Sequence, residues 1–240
     1  MSHILEFRHV SFGYTPEKNI LKDVCFQLEQ GKKYALVGPT GGGKTTTAGL
    51  MVRLYDPTEG VVMFNQKDIR SYQPAQLAND IGFILQEPFL FTGTVGENIR
   101  YGNVQLENST DDELLAELES HGLSELLVKF EHGLATTVTD SAENISLGQK
   151  QIIAFIRILL REPKLLILDE ATANIDTVTE QQLSNIIAKL PASTTQVTIA
   201  HRLNTIRSAD QILFINVGKV KAAMNFEDAV SLLEHGQRGS

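Results

Sequence analysis

Glycines, a lysine and hydroxyl side chains occur in this chain at the spacing that grips a phosphate. Gly38-Pro39-Thr40-Gly41-Gly42-Gly43-Lys44-Thr45 matches G-x-x-x-x-G-K-[ST], and it lies between the short apolar run Tyr34 to Val37 and the helix-like segment Lys44 to Leu54. Glycines let the backbone wrap an anion so that successive N–H groups point inward, and the helix that follows adds its positive end. Lys44 is placed to neutralise the β- and γ-phosphates of a nucleotide, and Thr45 to offer its hydroxyl to Mg²⁺, an ion that takes oxygen ligands. Downstream, Leu165-Leu166-Ile167-Leu168-Asp169-Glu170 has the buried apolar run of a parallel strand with two carboxylates at its C-terminal edge. Asp169 there suits the metal ion, held directly or through water. Glu170 suits orienting and activating a water beside the γ-phosphate.

These groups work together only if a sheet aligns them. Strand and helix patterns alternate along the chain, which predicts an α/β fold with a mainly parallel sheet. Residues 4–12 and 20–28 alternate in polarity and read as an antiparallel pair of strands near the N-terminus; Val61 to Phe64 and Ile81 to Leu85 are further strand candidates. From about residue 86 to 148 the strand signal fades. Helical segments are expected at Thr94 to Arg100, at Asp111 to Ser120 behind the capping-box spacing Thr110-Asp111-Asp112-Glu113, and at Leu123 to Phe130. Alternation resumes with Leu165 to Leu168, Gln181 to Leu190, Gln196 to Ala200 and Gln211 to Ile215. The expected organisation is an α/β core with an N-terminal antiparallel β subdomain over 1–85 and 150–235, an inserted helical subdomain over 86–149, and a disordered polar tail at 236–240.

Composition narrows the partners. With 240 residues, 42% of them apolar, the chain can bury a sizeable core. The formal net charge of −8 and the absence of any Lys/Arg run longer than Lys32-Lys33 argue against nucleic acid as a partner. The longest apolar runs fall far short of the roughly 20 residues needed to span a bilayer, so a soluble fragment is expected. The single Cys25 cannot form an internal disulfide, which suits a reducing compartment, and its alternating surroundings suggest a small buried core residue.

The order of the phosphate loop, Gln86, Ile145-Ser146-Leu147-Gly148-Gln149, Asp169-Glu170, Asp176 and His201 resembles the nucleotide-binding domain of ABC transporters, over about residues 4 to 220. Gly93-Thr94-Val95-Gly96-Glu97-Asn98-Ile99 after Gln86-Glu87-Pro88, and Ile199-Ala200-His201-Arg202-Leu203, are similar to the exporter branch. The resemblance implies a phosphate-loop ATPase that binds ATP and Mg²⁺. Gly38, Pro39, Thr40, Gly41, Gly42, Gly43, Lys44, Thr45 and Thr46 would hold the nucleotide, and Tyr14 would stack on adenine. Thr45, Gln86 and Asp169 would surround the metal, with Glu170, His201 and Gln86 around the attacking water and γ-phosphate. Ser146, Gly148 and Gln149 would act on ATP held by a second nucleotide-binding domain, identical or related, with Asp176 fixing the loop at the dimer contact. It further implies transmembrane domains of an exporter as partner, where cargo specificity resides, and a place at the cytoplasmic face of the cell (inner) membrane. A soluble relative working on DNA or ribosomes would be expected to carry a coiled-coil insertion, a tandem cassette or basic patches, and none is visible; Glu170 argues against a binding module with little turnover.

The chain also departs from the family pattern. Leu147 stands where glycine is usual and could crowd a bound phosphate, Ile152 where arginine is frequent, and Ala173 where serine is, while Asp140-Ser141-Ala142-Glu143-Asn144 lacks the usual glycines. With the phosphate loop, Asp169, Glu170 and His201 intact, these departures raise an asymmetric heterodimer as one arrangement.

Overall fold

A computed structural model describes residues 2–85, 87–139, 142–169, 176–200, 206–223 and 226–236. The elements run β1 (His3–Phe12), β2 (Leu21–Glu29), β3 (Lys33–Val37), α1 (Lys44–Met51), β4 (Glu59–Phe64), β5 (Lys67–Asp68), α2 (Pro74–Asp80), β6 (Ile81–Ile84), β7 (Gly93–Thr94) and α3 (Val95–Arg100). They continue with α4 (Asp111–Ser120), β8 (Thr137–Val138), α5 (Leu147–Leu159), β9 (Leu165–Asp169), α6 (Thr177–Ala188), β10 (Thr195–Ile199), β11 (Gln211–Asn216), β12 (Lys219–Ala223) and α7 (Phe226–Gly236). The chain forms two compact units: 1–77 with 164–170 and 192–240, and 78–163 with 171–191.

The first unit holds two sheets. The antiparallel one runs β2-β1-β4-β5, and its register slips between the Phe7–Phe26 and Val10–Val24 pairs. At that slip His9 and Asp23 both take positive φ, 51° and 50°, the backbone signature of a bulge. Strand alternation decides the fate of Cys25: its neighbours Val24 and Leu28 point inward and are buried, so Cys25 lies on the opposite face. The expectation of a buried core thiol is therefore corrected. Cys25 is exposed, and its Sγ accepts the His9 backbone N–H at 3.2 Å.

The other sheet of this unit is parallel through β11, β3, β10 and β9, with β12 added antiparallel to β11 as a hairpin. Strands β3, β9 and β11 are nearly continuous apolar runs, as both-face burial demands, while β10 alternates; Ala35, Leu36, Val37, Leu165, Leu166, Ile167, Val197 and Ile199 are all buried. Helix α1 stops at Met51, earlier than the expected Leu54. Arg53 turns left-handed (φ 58°), and the Leu54 N–H reaches back to the Gly49 carbonyl at 2.8 Å, a closure of the type that normally recruits glycine.

The second unit is mainly helical. Its core gathers Val95 and Ile99 from α3, Leu114 and Leu118 from α4, and Ile152, Ile153, Phe155, Ile156 and Leu159 from α5, all buried. The expected helix over Leu123 to Phe130 is a 3₁₀ turn at Ser124–Lys129, hemmed in by left-handed Gly122 and Gly133. Helix α6 begins at Thr177, earlier than the periodicity from Gln181 suggests, because Asp176 caps it. Among the described residues no helix is long and apolar enough to cross a membrane.

Candidate nucleotide site

In the first unit the phosphate loop leaves β3 at Gly38 and enters α1 at Lys44. Gly38 has φ 148°, and a Cβ there would run into the Ile215 carbonyl oxygen, so only glycine lets the loop hug β11. Gly43, at φ 111°, is the N-cap of α1; it carries no side-chain cap, and the first turn contains no acid. The N–H groups of that turn therefore keep their positive end unneutralised. Lys44 is 6% exposed, and its Nζ donates to the Gly38 and Pro39 carbonyls at 2.9 and 3.0 Å. The ammonium is thus held over the loop rather than swinging free in solvent. Thr47 Oγ1 donates to the Gly43 carbonyl at 2.8 Å and braces the same turn.

Sheet register brings the acidic strand to this edge. Leu36 of β3 and Asp169 of β9 both pair with Ile199 of the intervening β10, so the two strand ends are level and about 10 Å apart, twice the strand spacing. Thr45 is exposed in the first turn of α1 and Asp169 half-buried at the end of β9. A hydroxyl and a carboxylate are hard oxygen donors, the set that Mg²⁺ takes. Tyr14 is 56% exposed, packed edge-on against Phe12 and Tyr55 at 5.1 and 5.3 Å between ring centres. Its hydroxyl lies 3.0 Å from Thr46 Oγ1, which ties the expected adenine platform to the phosphate loop.

The second unit presents a different helix end. Ser146 caps α5 in a reciprocal capping box: its Oγ accepts from the Gln149 N–H at 3.2 Å, and Gln149 Oε1 accepts from the Ser146 N–H at 2.9 Å. Gln149 Nε2 also donates to the Lys129 carbonyl at 2.7 Å. Ser146 is exposed, and Leu147 and Gly148 are half-buried in the first turn. Asp176 caps α6, its Oδ1 accepting from the Thr179 N–H at 3.0 Å and its Oδ2 from Thr179 Oγ1 at 2.7 Å. Those bonds, with the Lys129 ammonium 3.1 Å away, hold its carboxyl well below the usual carboxylate range. Gln86, Glu170 and His201, together with residues 171–175 and residues 237–240 of the expected tail 236–240, lie outside the described residues, while Gly236 ends α7.

Arg157 is a residue that sequence reading missed. Burial, reinforced by nearby Arg161, pushes its guanidinium down to about 10, so it stays charged at neutral pH. It donates to the Asn98 backbone carbonyl at 2.7 Å and to Asn98 Oδ1 at 3.2 Å, and lies over the Phe91 and Tyr101 rings. Asn98, fully buried, in turn holds the 91–94 segment through the Phe91 N–H and the Phe91 and Thr94 carbonyls. An arginine inside the otherwise apolar run of α5 was the available signal.

A glycine cradle with an uncapped helix end on a parallel sheet, and an acidic strand end level with it, define a phosphate-loop nucleotide-binding domain. Residues 21–173 match the family described as ABC transporter. A relative from Bacillus subtilis (strain 168), described as the uncharacterized ABC transporter ATP-binding protein YfiC, is 44% identical over 216 residues, 90% of this chain and 35% of its own. The mitochondrial iron-sulfur clusters transporter ATM1 of Kluyveromyces lactis is 40% identical over 219 residues, 90% of this chain and 30% of its own. The solved structure of a bacterial Atm1-family ABC exporter with ATP bound superposes with a TM-score of 0.85 at 31% identity, covering all of this chain and 42% of that one. The chain belongs to the ABC transporter family, whose ATP-binding domains are ATPases, and it is an ATP-binding domain of the exporter type. It spans about a third of the length of these two relatives.

Proposed function

We propose that this domain closes with a second nucleotide-binding domain around two ATP molecules, hydrolyses them, and so drives transmembrane domains of an exporter. One observation carries the reading. Among the described helices of eight or more residues, α1 and α5 have no acid in the first turn, whereas α4, α6 and α7 do. These are the two helix ends expected to face phosphate, and an acid there would oppose a bound anion.

In this reading Lys44 and the N–H groups of Gly38 and of Thr40 to Thr46 bind the β- and γ-phosphates, and Tyr14 supports the base. Thr45 and Asp169 would hold Mg²⁺, with Gln86 completing the set; the ion would neutralise charge building on the phosphate oxygens. Glu170 orients and deprotonates the attacking water, and His201 contacts the γ-phosphate. Ser146, Gly148 and Gln149 cap the γ-phosphate of the partner's nucleotide. The second unit presents Phe89 and Tyr101, 76% and 60% exposed, beside the Arg157 anchor. This aromatic surface supports docking of a transmembrane partner, which would hold the domain at the cytoplasmic face of the cell membrane and carry the cargo site.

The test is Glu170→Gln. ATP binding is expected to persist while turnover falls by at least about a hundredfold, the scale of a lost general base. Turnover equal to wild type would remove Glu170 from this role.

A further inference from the structure

Two elements proposed to meet the partner, the first turn of α5 and the cap of α6, are joined by one residue between them. Lys129 ends the 3₁₀ turn Ser124–Lys129. Its carbonyl accepts from Gln149 Nε2 at 2.7 Å, and its ammonium donates to Asp176 Oδ2 at 3.1 Å. The chain of bonds is continuous: Ser146 to Gln149, Gln149 to Lys129, Lys129 to Asp176, Asp176 to Thr179. All five residues lie in the second unit.

The chemistry selects these residue types. Gln149 must accept with one atom of its amide and donate with the other, which a carboxylate cannot do. In the capping boxes of α3 and α4 the matching residues are Glu97 and Glu113, which serve only as acceptors. At position 129 the side chain must cross to Asp176 while the backbone remains with Gln149. Lys129 is 32% exposed along its side chain and Asp176 54%, so the pair is strong enough to bias a position and weak enough to break.

We propose that Lys129 is a positioning residue that makes the α5 first turn and the α6 cap move as one piece, so that Ser146 and Asp176 reach the partner domain in a fixed mutual geometry. The inference rests on the proposed pairing of two nucleotide-binding domains. It assigns Lys129 no contact with ATP.

The experiment compares Lys129→Met, which keeps the stem and removes the charge, with Lys129→Arg, which keeps the charge. ATP turnover per chain is measured against chain concentration, together with binding of a fluorescent ATP analogue. For Lys129→Met the concentration giving half-maximal turnover should rise about two- to fivefold, the size of one partly exposed ion pair. The rate at saturating chain and the affinity for the analogue should stay unchanged, and Lys129→Arg should return the midpoint to that of wild type. An unshifted midpoint in Lys129→Met, or a shift that arginine does not rescue, overturns the proposal. If wild-type turnover does not depend on chain concentration, the chain does not pair with a copy of itself, and amide hydrogen exchange decides the role of Lys129. Faster exchange in both segments 146–150 and 176–180 of Lys129→Met upholds the tie; a change in one segment or neither overturns it.

Discussion

Two helix ends in this chain are proposed to bind phosphate, and they are built in opposite ways. The start of α1 has no side-chain cap on its N–H groups: glycines lead into it, Gly43 stands at the N-cap, and the Lys44 ammonium rests on loop carbonyls. The start of α5 is closed by its own side chains, Ser146 and Gln149 bonding each other's backbone N–H groups. An open end leaves backbone donors for a ligand that the same chain must grip tightly. A closed end is ordered before any ligand arrives, which suits a surface that must meet another protein, and a neutral glutamine orders it without a charge opposed to phosphate.

The largest effect is expected at the open end. Lys44→Ala removes a charge-assisted bond worth about 1.5–3 kcal/mol, so ATP binding to the chain should weaken roughly ten- to a hundredfold by titration. A loss of less than threefold would mean that the backbone alone carries affinity at α1. At the closed end, Gln149→Glu gives α5 the box found at α3 and α4. The cap survives, but the Lys129 carbonyl loses its donor and a negative charge enters the first turn. The chain concentration at half-maximal turnover should rise about tenfold, while the melting temperature moves by less than about 2 °C. Unchanged turnover would show that a charged box serves as well as a neutral one.

The smallest effect concerns the neighbouring cap. Asp176 has a folded-state carboxyl held below its unfolded value, so its contribution to stability is fully present above about pH 4 and fades as pH falls toward the folded value. Denaturation of wild type and Asp176→Asn should therefore differ by a constant amount from pH 8 to pH 5 and converge below about pH 4. A difference that varies between pH 8 and 5 would point to another titrating group.

Legibility followed the range of the interaction. The Thr110 and Glu113 box, the phosphate loop and the apolar run of β9 could be read directly, because each is set by residues within one turn or one strand. The Ser124–Lys129 turn reads as an ordinary helix in the sequence, since the apolar spacing of a single short turn does not separate 3₁₀ from α. Cys25 sits on the face opposite Val24, Phe26 and Leu28, so its exposure follows from strand alternation and not from the small apolar character of the thiol. The hairpin partner β12 and the helix α7 leave little signal in the sequence: no position of β12 is buried, and α7 covers a core made by distant strands, its Ala229 in one cluster with Val37, Ile212 and Phe214.

The order and spacing of residues alone point to phosphate binding and to the strand-helix alternation, because a phosphate grip needs only glycines, a lysine and a hydroxyl at close covalent spacing, and the order of the separate motifs carries the resemblance to the ABC family. Tertiary structure decided what lies far apart along the chain: that Leu36 and Asp169 share a level through Ile199, and that Lys129 stands between Gln149 and Asp176. Those placements depend on strand register and on where a short turn packs, and both are set by the burial of apolar side chains that carry no chemistry of their own.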